Sequence, residues 1–450
     1  METAKEHIIR LVARYIADKH KEKKWIPGKD WVQYAGPYFD HNEYVNAVGT
    51  LLDEWLILGK DAMEFEIRFP PLLGKKYGVV VNSGSSANLL MMAAMVSRKI
   101  NASNHKPRVI VPVAGFPTTL NPILQLGAIP DFVDIELDTL NLDLNQVEDK
   151  LKRHYMVAMP TDIITFAHVL GNPPNMDRVI QLCRRYGLTL LEDCCDALGS
   201  TYDEKPLGSF GRFATCSFFP AHHTSMGEGG FVACDNEEDE KIVRSLRDWG
   251  RDCYCTGKNA NLSDKGTCGC RFKNWLPTLP DEIFDHKYVY GEIGYNMKPI
   301  EMQCSIGLAQ LDKLNEIYAR RHNNHARLTE IFRPYEEYFH FHKATPKSNP
   351  SWFAFPLTVR DGAPFKRSQF TRYLEANKIQ TRNYFGGNLL FQPAYRHLDV
   401  NCNAHARFPV ATKVTKDTFF LGVSPVITKE QLNYVEEKVN DFFIKHLWQK

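Results

Sequence analysis

Residues 79–96 read VVVNSGSSANLLMMAAMV: a short apolar run, a Gly/Ser turn, and a helical stretch from about Ala87. The apolar run is typical of a buried strand, and the turn leaves backbone N–H groups free at a helix N-terminus. Such a turn can hold a phosphate, although a Gly/Ser turn is more often only a turn. This strand, turn and helix begin an α/β pattern.

The alternation of strands and helices continues to about residue 250. Further apolar runs predict strands at 109–113, 132–134, 163–167 and 188–191. Helical patterns between them fall at 122–126, 144–152 and 176–186. This order predicts an α/β fold, with a mostly parallel sheet covered by helices on both faces. Ligands bind such sheets at the carboxyl ends of the strands.

The rest of the chain indicates four parts. We expect a helical N-terminal segment at 1–70, a large α/β domain at 71–298, a linking helix at 299–333 and a small C-terminal α+β domain at 334–450. One helix is predicted to run from Pro299 through Ile317. The large domain includes a polar, cysteine-bearing loop at 250–272, which is too long for an ordinary connection and which we interpret as functional.

Composition narrows the function classes. The 55 basic and 53 acidic residues give a net charge of +2, so a nucleic-acid partner is not expected. No apolar stretch reaches membrane-spanning length, and Ile8, Val12 and Ile16 lie at amphipathic-helix spacing. We therefore expect a soluble, cytoplasmic enzyme without a membrane partner.

A second polar feature follows the run Leu190-Leu191, where Glu192 and Asp193 end a predicted strand. A carboxylate there is often only a helix cap. An aspartate facing the ring nitrogen of a pyridine cofactor would keep that nitrogen protonated and make the ring an electron sink. The phosphate turn and Asp193 together outline a pyridoxal-phosphate site.

Longer motifs carry a family resemblance. They are VPVAGF (111–116), EDCCDALGS (192–200), GSFG (208–211), SFFPAHH (217–223), GEGG (227–230) and GYNM (294–297). In this order they resemble the sugar aminotransferase and dehydrase family of the aspartate aminotransferase (fold type I) superfamily, over roughly residues 40–440. The resemblance implies that fold, with the cofactor bound in the large domain.

The resemblance also implies roles for individual residues. Gly84, Ser85 and Ser217 would hold the cofactor phosphate, and Phe116 would stack on the pyridine ring. Asp193 would pair with the ring nitrogen.

Two further positions are implied in the same way. Asp196 lies where the family places a polar side chain near the ring hydroxyl. Asn296 matches a residue that reaches the phosphate of the neighbouring subunit's cofactor, so a homodimer is implied.

His222 departs from the aminotransferase pattern. Family aminotransferases carry a lysine here that bonds covalently to pyridoxal phosphate, and this chain has no lysine between Lys205 and Lys241. The cofactor would then be held non-covalently, as pyridoxamine phosphate. Histidine, with an unperturbed pKa of about 6.5, suits proton transfer near neutral pH. The replacement resembles the dehydrase branch, with His222 as the catalytic base.

Eleven cysteines are the remaining unusual feature. An odd number in a large chain argues against a disulfide framework. Five stand alone and fit ordinary core positions: Cys183, Cys216, Cys234, Cys304 and Cys402. The other six are grouped as Cys194-Cys195, Cys253-Tyr254-Cys255 and Cys268-Gly269-Cys270. Taken alone, four such thiols favour zinc over a two-iron cluster.

The family resemblance favours a two-iron cluster over zinc. WGRDCYC (249–255) with the following Cys268 looks like the cluster loop of the CDP-4-keto-6-deoxyglucose 3-dehydrase branch, and 57 residues separate Cys195 from Cys253, as in that branch. This implies a 2Fe-2S cluster on Cys195, Cys253, Cys255 and Cys268. Cys194 competes with Cys195, and Cys270 with Cys268. The interval between Cys255 and Cys268 is longer here than in the family.

The branch implies a reaction. The enzyme would remove the C3 hydroxyl of a nucleotide-linked 4-keto-6-deoxyhexose, most simply CDP-4-keto-6-deoxyglucose, in 3,6-dideoxysugar biosynthesis for lipopolysaccharide O-antigen. An NAD(P)H-dependent flavin and iron–sulfur reductase would supply electrons singly. The alternatives are a pyridoxal-phosphate nucleotide-sugar aminotransferase, a cluster-free 3-dehydratase, and a zinc-stabilised sensor or scaffold.

Overall fold

A computed structural model describes residues 2–22, 24–103, 105–154, 162–254 and 269–447. In these residues the helices are α1 (Ala4–Glu22), α2 (His41–Leu52), α3 (Lys60–Arg68), α4 (Gly84–Val96), α5 (Pro117–Gln125), α6 (Leu144–His154), α7 (Met176–Tyr186), α8 (Glu237–Arg247), α9 (Glu301–Leu311), α10 (Leu314–Phe332), α11 (Arg367–Ala376), α12 (Ala404–Arg407), α13 (Pro409–Asp417) and α14 (Lys429–Leu447). The described chain has no helix both long and apolar enough to cross a bilayer.

The strands in the same residues are β1 (Tyr77–Val81), β2 (Arg108–Pro112), β3 (Ile129–Val133), β4 (Ile163–Ala167), β5 (Thr189–Asp193), β6 (Thr201–Tyr202), β7 (Lys205–Pro206), β8 (Phe213–Ser217), β9 (Gly230–Cys234), β10 (Phe272–Lys273), β11 (Phe284–Asp285), β12 (Phe339–Phe341), β13 (Ser348–Asn349), β14 (Ala354–Val359), β15 (Arg382–Asn383) and β16 (Thr418–Gly422).

The central sheet has the order β1-β9-β8-β5-β4-β2-β3. Strands β8, β5, β4, β2 and β3 pair in parallel, while β9 is antiparallel to both β1 and β8. Both faces are apolar. On β1, for example, Val79 and Val81 pack into one core cluster and Val80 into another. Burial on both faces explains why these strands are continuous apolar runs, and the predicted α/β fold is confirmed.

The C-terminal part has its own antiparallel sheet, in the order β12-β14-β16-β15. A third core cluster, rich in phenylalanine, joins this sheet to α10, α11 and α14; Phe339, Phe370 and Phe419 are at its centre. The four-part domain division remains a prediction, although this sheet lies within the part assigned to the small domain.

The helix predicted at 122–126 is α5, which begins at Pro117, and the strand predicted at 132–134 is β3, which begins at Ile129. Two further helices differ from expectation. Helix α4 begins at Gly84 rather than near Ala87, because the Ser83 hydroxyl accepts a hydrogen bond from the Ser86 amide and caps the helix. The single helix predicted after Pro299 is two helices, with a turn at Asp312-Lys313. Helix α9 packs on α2 and α3, whereas α10 packs on α14, so the chain must change direction between them.

Candidate active site

A cavity of about 1150 Å³ opens at the carboxyl edge of the central sheet. The ends of β1, β4, β5 and β8 form one side, and segments around β15 and β16 form the other. The cavity brings together these predicted residues: Gly84, Ser85, Phe116, Asp193, Cys195, Asp196, Ser217 and His222. Residues spread over 139 positions of sequence, from Gly84 to His222, thus share one site.

The phosphate end is built around Gly84. A Cβ placed on Gly84 would lie 2.4 Å from Ser217 Cβ and 3.1 Å from Cys195 Sγ, so only glycine fits. The first-turn N–H groups of a helix have no partner within the helix, and here Gly84 and Ser85 place them at the cavity wall. Together with the Ser217 hydroxyl they form an anion-binding corner suited to a phosphate.

Asp193 ends β5 and is buried at the base of the cavity. Its Oδ2 accepts hydrogen bonds from Asn88 Nδ2 at 2.7 Å and from Thr119 Oγ1 at 3.0 Å. Its Oδ1 accepts from the Cys195 amide at 3.1 Å. These donors fix the carboxylate against rotation, as a partner for a protonated ring nitrogen requires.

The pyridine ring of the predicted cofactor would lie between Phe116 and the sheet edge. Phe116 precedes α5, lines the cavity and is 52% exposed, so its side chain is accessible to a planar ligand. Asp196 lines the same cavity, and burial raises its pKa to about 7, with the charge of Asp193 adding to the rise. Its Oδ2 accepts a hydrogen bond from the Leu170 amide at 3.3 Å.

His222 lies in the loop between β8 and β9 and lines the cavity. Its Nδ1 is 3.5 Å from Asp196 Oδ1 and makes no hydrogen bond to the described residues. Its ring packs against Phe353, with centroids 5.4 Å apart. No lysine is among the described residues that line the cavity, so these residues offer no amine for a covalent link to a cofactor.

Burial lowers the pKa of His222 to about 4, and the nearby Asp193 opposes that shift. Since an unfolded histidine titrates near pH 6.5, acid favours the unfolded chain between these two values. We expect the cofactor-free His222→Asn variant to lose less stability than the wild-type protein between pH 8 and pH 5, by about 2 kcal/mol. Urea titrations at both pH values measure this difference. His405→Asn, at an exposed position, is the control, and parallel losses in wild type and His222→Asn would contradict the prediction.

Arg321 holds the His222 loop from behind. The residue is 1% exposed. Nη2 donates to the carbonyls of His222 (2.8 Å) and Ala221 (3.4 Å), and Nη1 to those of Phe353 (3.1 Å) and Trp352 (3.3 Å). Burial lowers the pKa of Arg321 to about 9. One side chain on α10 thus ties the candidate base to the aromatic wall opposite.

Removing the Arg321 guanidinium should destabilise the folded protein. In Arg321→Met the four carbonyls lose their donor, and we expect the free energy of unfolding to fall by about 3 kcal/mol. The matched control is Arg320→Met, because Arg320 is an exposed neighbour paired with Glu316 on the same helix. That change should cost about 0.5 kcal/mol or less. Equal losses in urea unfolding would show that the four contacts do not matter.

Asn296 does not line the cavity of its own chain. It is exposed and pairs with Asp248 in an isolated bridge. Its role at a neighbouring subunit's cofactor therefore stays a prediction.

The predicted metal ligands do not come together. Cys195 follows the carboxyl end of β5, beside Gly84. Tyr254, next to Cys253, lines a surface cleft together with Arg212 and Asn236. Arg212 precedes β8 and Asn236 follows β9, so this cleft lies at the amino end of β8, the sheet edge opposite to Cys195. A five-residue strand spans about 17 Å, so the two cysteines lie at opposite edges of the sheet. Within one chain, Cys195 and Cys253 do not fit a single two-iron cluster.

The structure decides in part between the cysteines that compete as metal ligands. Cys194 is 0% exposed, sits in the core and does not line the cavity, whereas Cys195 does. Cys270 is exposed. Cys255 and Cys268 lie outside the described residues, so their proposed ligand roles stay predictions.

The motif analysis missed Asn88, Thr119 and Arg321. A signal existed for Asn88, which is the one polar residue in the apolar stretch 87–96 and lies one turn beyond the phosphate turn. Arg321 gave no comparable signal, because its four acceptors are backbone carbonyls from distant segments.

A family profile, characterised proteins and solved structures match this chain. The DegT/DnrJ/EryC1/StrS aminotransferase family profile matches residues 39–440. The chain belongs to this family. As a family member it is similar to the lipopolysaccharide biosynthesis protein RfbH of Salmonella typhimurium, with 39% identity over 98% of each chain. The dTDP-4-dehydro-2,6-dideoxy-D-glucose 3-dehydratase of Saccharopolyspora spinosa is 38% identical, over 98% of this chain and 93% of its own.

Among solved structures, the GDP-4-keto-6-deoxy-D-mannose-3-dehydratase of E. coli with bound hydrated PLP superposes with a TM-score of 0.75. It is 28% identical and covers 91% of this chain and 99% of its own. The chain therefore has the fold type I architecture of pyridoxal-phosphate enzymes, as the family resemblance predicts.

Proposed function

We propose that this protein is a pyridoxamine-phosphate-dependent 3-dehydratase that acts on a nucleotide-linked 4-keto-6-deoxyhexose. The observation that carries the proposal is His222, which faces a cofactor cavity whose described lining holds no lysine. An aminotransferase of this fold needs that lysine both to bind the cofactor and to move its proton. A dehydratase needs only the proton transfer. The similarity to the two 3-dehydratases supports this choice.

The cavity fits pyridoxamine phosphate. The Gly84–Ser217 corner would hold the phosphate, Asp193 would pair with the ring nitrogen and Phe116 would pack on the ring face. Bound there, the cofactor supplies an amine that condenses with the sugar ketone and a ring that accepts an electron pair. The protein's task is then to hold the ring, keep its nitrogen protonated and move one proton.

His222 is positioned to accept that proton. Its lowered pKa keeps the imidazole neutral at pH 7, so it can accept a proton from the C4′ carbon of the cofactor. Asp196 lies 3.5 Å from the imidazole, and its ionised form would stabilise the imidazolium that forms. Since burial raises the pKa of Asp196 to about 7, only about half of this carboxyl is ionised at pH 7. Arg321 fixes the loop backbone, so the ring stays aimed into the cavity.

The substrate's nucleotide and the electron supply are finer parts of the proposal. CDP is the nucleotide that the cysteine-loop resemblance favours, whereas the names of two relatives contain dTDP and GDP. A 2Fe-2S cluster and its reductase follow from the same loop. The separation of Cys195 from Cys253 favours, as a second candidate, a cluster-free 3-dehydratase that needs no reductase. In that case conversion of pyridoxamine phosphate to pyridoxal phosphate would supply the two electrons that replacement of the C3 hydroxyl by hydrogen requires.

One assay tests these options. The protein, loaded with pyridoxamine phosphate, is incubated with CDP-, dTDP- and GDP-linked 4-keto-6-deoxyhexoses, with and without a flavin reductase and NADH. Mass spectrometry should show a 3-deoxy ketosugar from one nucleotide class. Product without reductase would favour the cluster-free reaction. An amino sugar, or a link between protein and cofactor that borohydride reduces to a stable amine, would identify an aminotransferase and overturn the proposal.

A further inference from the structure

Arg382 is the one lysine or arginine among the described residues that line the cavity. It lies on β15, on the side of the cavity opposite the Gly84–Ser217 corner. Within the described chain, its guanidinium donates one hydrogen bond, from Nη1 to the Thr381 carbonyl at 2.7 Å. The Nε and Nη2 groups of Arg382 are therefore available to a ligand in the cavity.

Tyr34 holds the Arg382 guanidinium in place. The guanidinium carbon lies over the Tyr34 ring, 4.1 Å from its centroid. The Tyr34 amide donates to Gln380 Oε1 at 3.1 Å, and a Cβ on Gly422 would collide with the Tyr34 carbonyl oxygen, so the ring is closely packed. An arginine stacked on an aromatic face keeps its planar N–H edge oriented for an anion.

A row of aromatic rings connects this cation to the proposed base. The Tyr34 ring centroid is 6.3 Å from that of Phe420, which is 6.2 Å from that of Phe353. Phe353 in turn packs on His222 at 5.4 Å. All four side chains line the cavity. The row thus leads from His222, where the sugar reacts, along the apolar wall to Arg382.

The chemistry of the substrate matches this direction. In a nucleotide-linked 4-ketohexose the diphosphate is attached at C1, across the sugar ring from the C4 ketone. When C4 lies near His222, the diphosphate must therefore point away from the base. The carboxyl groups that line the cavity, Asp193, Asp196 and Glu228, offer no attraction for a group that carries about two negative charges. Arg382 supplies the missing positive charge.

We infer that Arg382 binds the diphosphate of the nucleotide-linked substrate and that Tyr34 positions Arg382 for this contact. The inference rests on the nucleotide-linked ketosugar of the proposed function. Arginine suits the task because its guanidinium can donate two parallel hydrogen bonds to phosphate oxygens. Tyr34 lies before residues 39–440, which the family profile matches, so the profile does not cover this contact.

Binding of nucleoside diphosphates tests the role of Arg382. The protein, loaded with pyridoxamine phosphate, is titrated with CDP, dTDP and GDP by calorimetry. Arg382→Met should weaken the diphosphate that binds best by about 10- to 100-fold, because charged hydrogen bonds are lost. Its affinity for pyridoxamine phosphate should stay within about threefold of wild type. Arg372→Met is the matched control, because Arg372 is exposed on α11 and does not line the cavity.

A double-mutant cycle tests the role of Tyr34. Tyr34→Leu removes the ring beneath the guanidinium and should weaken the same diphosphate by about two- to fivefold. In the Arg382→Met background it should have no further effect, because Tyr34 acts through Arg382. Arg382→Lys keeps the charge but not the stacked planar fork, so it should recover only part of the affinity. Equal losses from Tyr34→Leu in both backgrounds would overturn the positioning role.

Turnover separates this inference from the proposed function. With the ketosugar that the protein converts, the loss of kcat/KM in Arg382→Met should come mainly from KM, because the diphosphate is remote from the reacting bonds. Unchanged diphosphate affinity in this variant, or no diphosphate binding to the wild type, would overturn the inference. Loss of affinity for pyridoxamine phosphate alone would assign Arg382 to the cofactor phosphate and overturn it too. Diphosphate binding that depends on Arg382, in a protein that forms no 3-deoxy ketosugar, would overturn only the proposed function.

Discussion

His222→Asn should slow substrate-dependent exchange of the cofactor's C4′ proton by about 10²- to 10⁴-fold, the range usual for loss of a general acid–base group. The reason is geometric. His222 is the one neutral, titratable nitrogen base among the described residues that line the cavity, and asparagine of similar size cannot accept the proton. Loss of deuterium from C4′-labelled pyridoxamine phosphate, measured with and without ketosugar, reports this step directly.

Cofactor binding should survive the same change. His222 Nδ1 makes no hydrogen bond to the described residues, and the phosphate and ring contacts come from Gly84, Ser217 and Asp193. The dissociation constant for pyridoxamine phosphate should therefore stay within about threefold of wild type, a difference below 1 kcal/mol. His405→Asn is the matched control, with normal exchange expected. Unchanged exchange in His222→Asn would assign the base to another group.

Replacing His222 with lysine is a second test that residue 222 faces the cofactor. His222→Lys introduces an amine into the cavity, and the expected result is a link to pyridoxal phosphate that borohydride reduces to a stable secondary amine. Failure to form that link would mean that residue 222 does not face the C4′ carbon.

The parts of the fold that follow from local patterns were predictable. The apolar runs at 163–167 and the helix at 176–186 coincide with β4 and α7, because each is bounded by clear turn residues and buries a regular pattern. The separation of α9 from α10 was not predictable, since each helix continues the other's apolar pattern. Packing against different partners, α2 and α14, sets the turn between them.

The candidate site shows the same division. Gly84, Asp193 and His222 sit in motifs, so the sequence located them, and the cavity brings them together. The cysteine spacing was a different kind of evidence. An interval of 57 residues between Cys195 and Cys253 says nothing of the strand, helix and sheet edge that separate them in space. Only the three-dimensional arrangement revealed that separation.

Asp193→Asn should reduce kcat by about 10²- to 10³-fold, as expected when a charged group that stabilises the transition state is lost. Asn88 and Thr119 aim the Asp193 carboxylate into the cavity. An amide there can still accept a hydrogen bond, but it cannot keep the pyridine nitrogen protonated, so the ring would withdraw electrons less well. Steady-state kinetics with the ketosugar that the nucleotide assay identifies measure the loss.

Two comparisons separate the charge of Asp193 from its position. Thr119→Val keeps the carboxylate and the side-chain volume but removes one of its hydrogen bonds, at 3.0 Å, so its loss in kcat should be about tenfold or less. A cofactor methylated on the ring nitrogen carries a permanent positive charge and no longer needs the aspartate. It should restore much of the activity of Asp193→Asn. If the methylated cofactor binds this variant without restoring turnover, Asp193 acts through position rather than charge, and the electron-sink argument fails for this site.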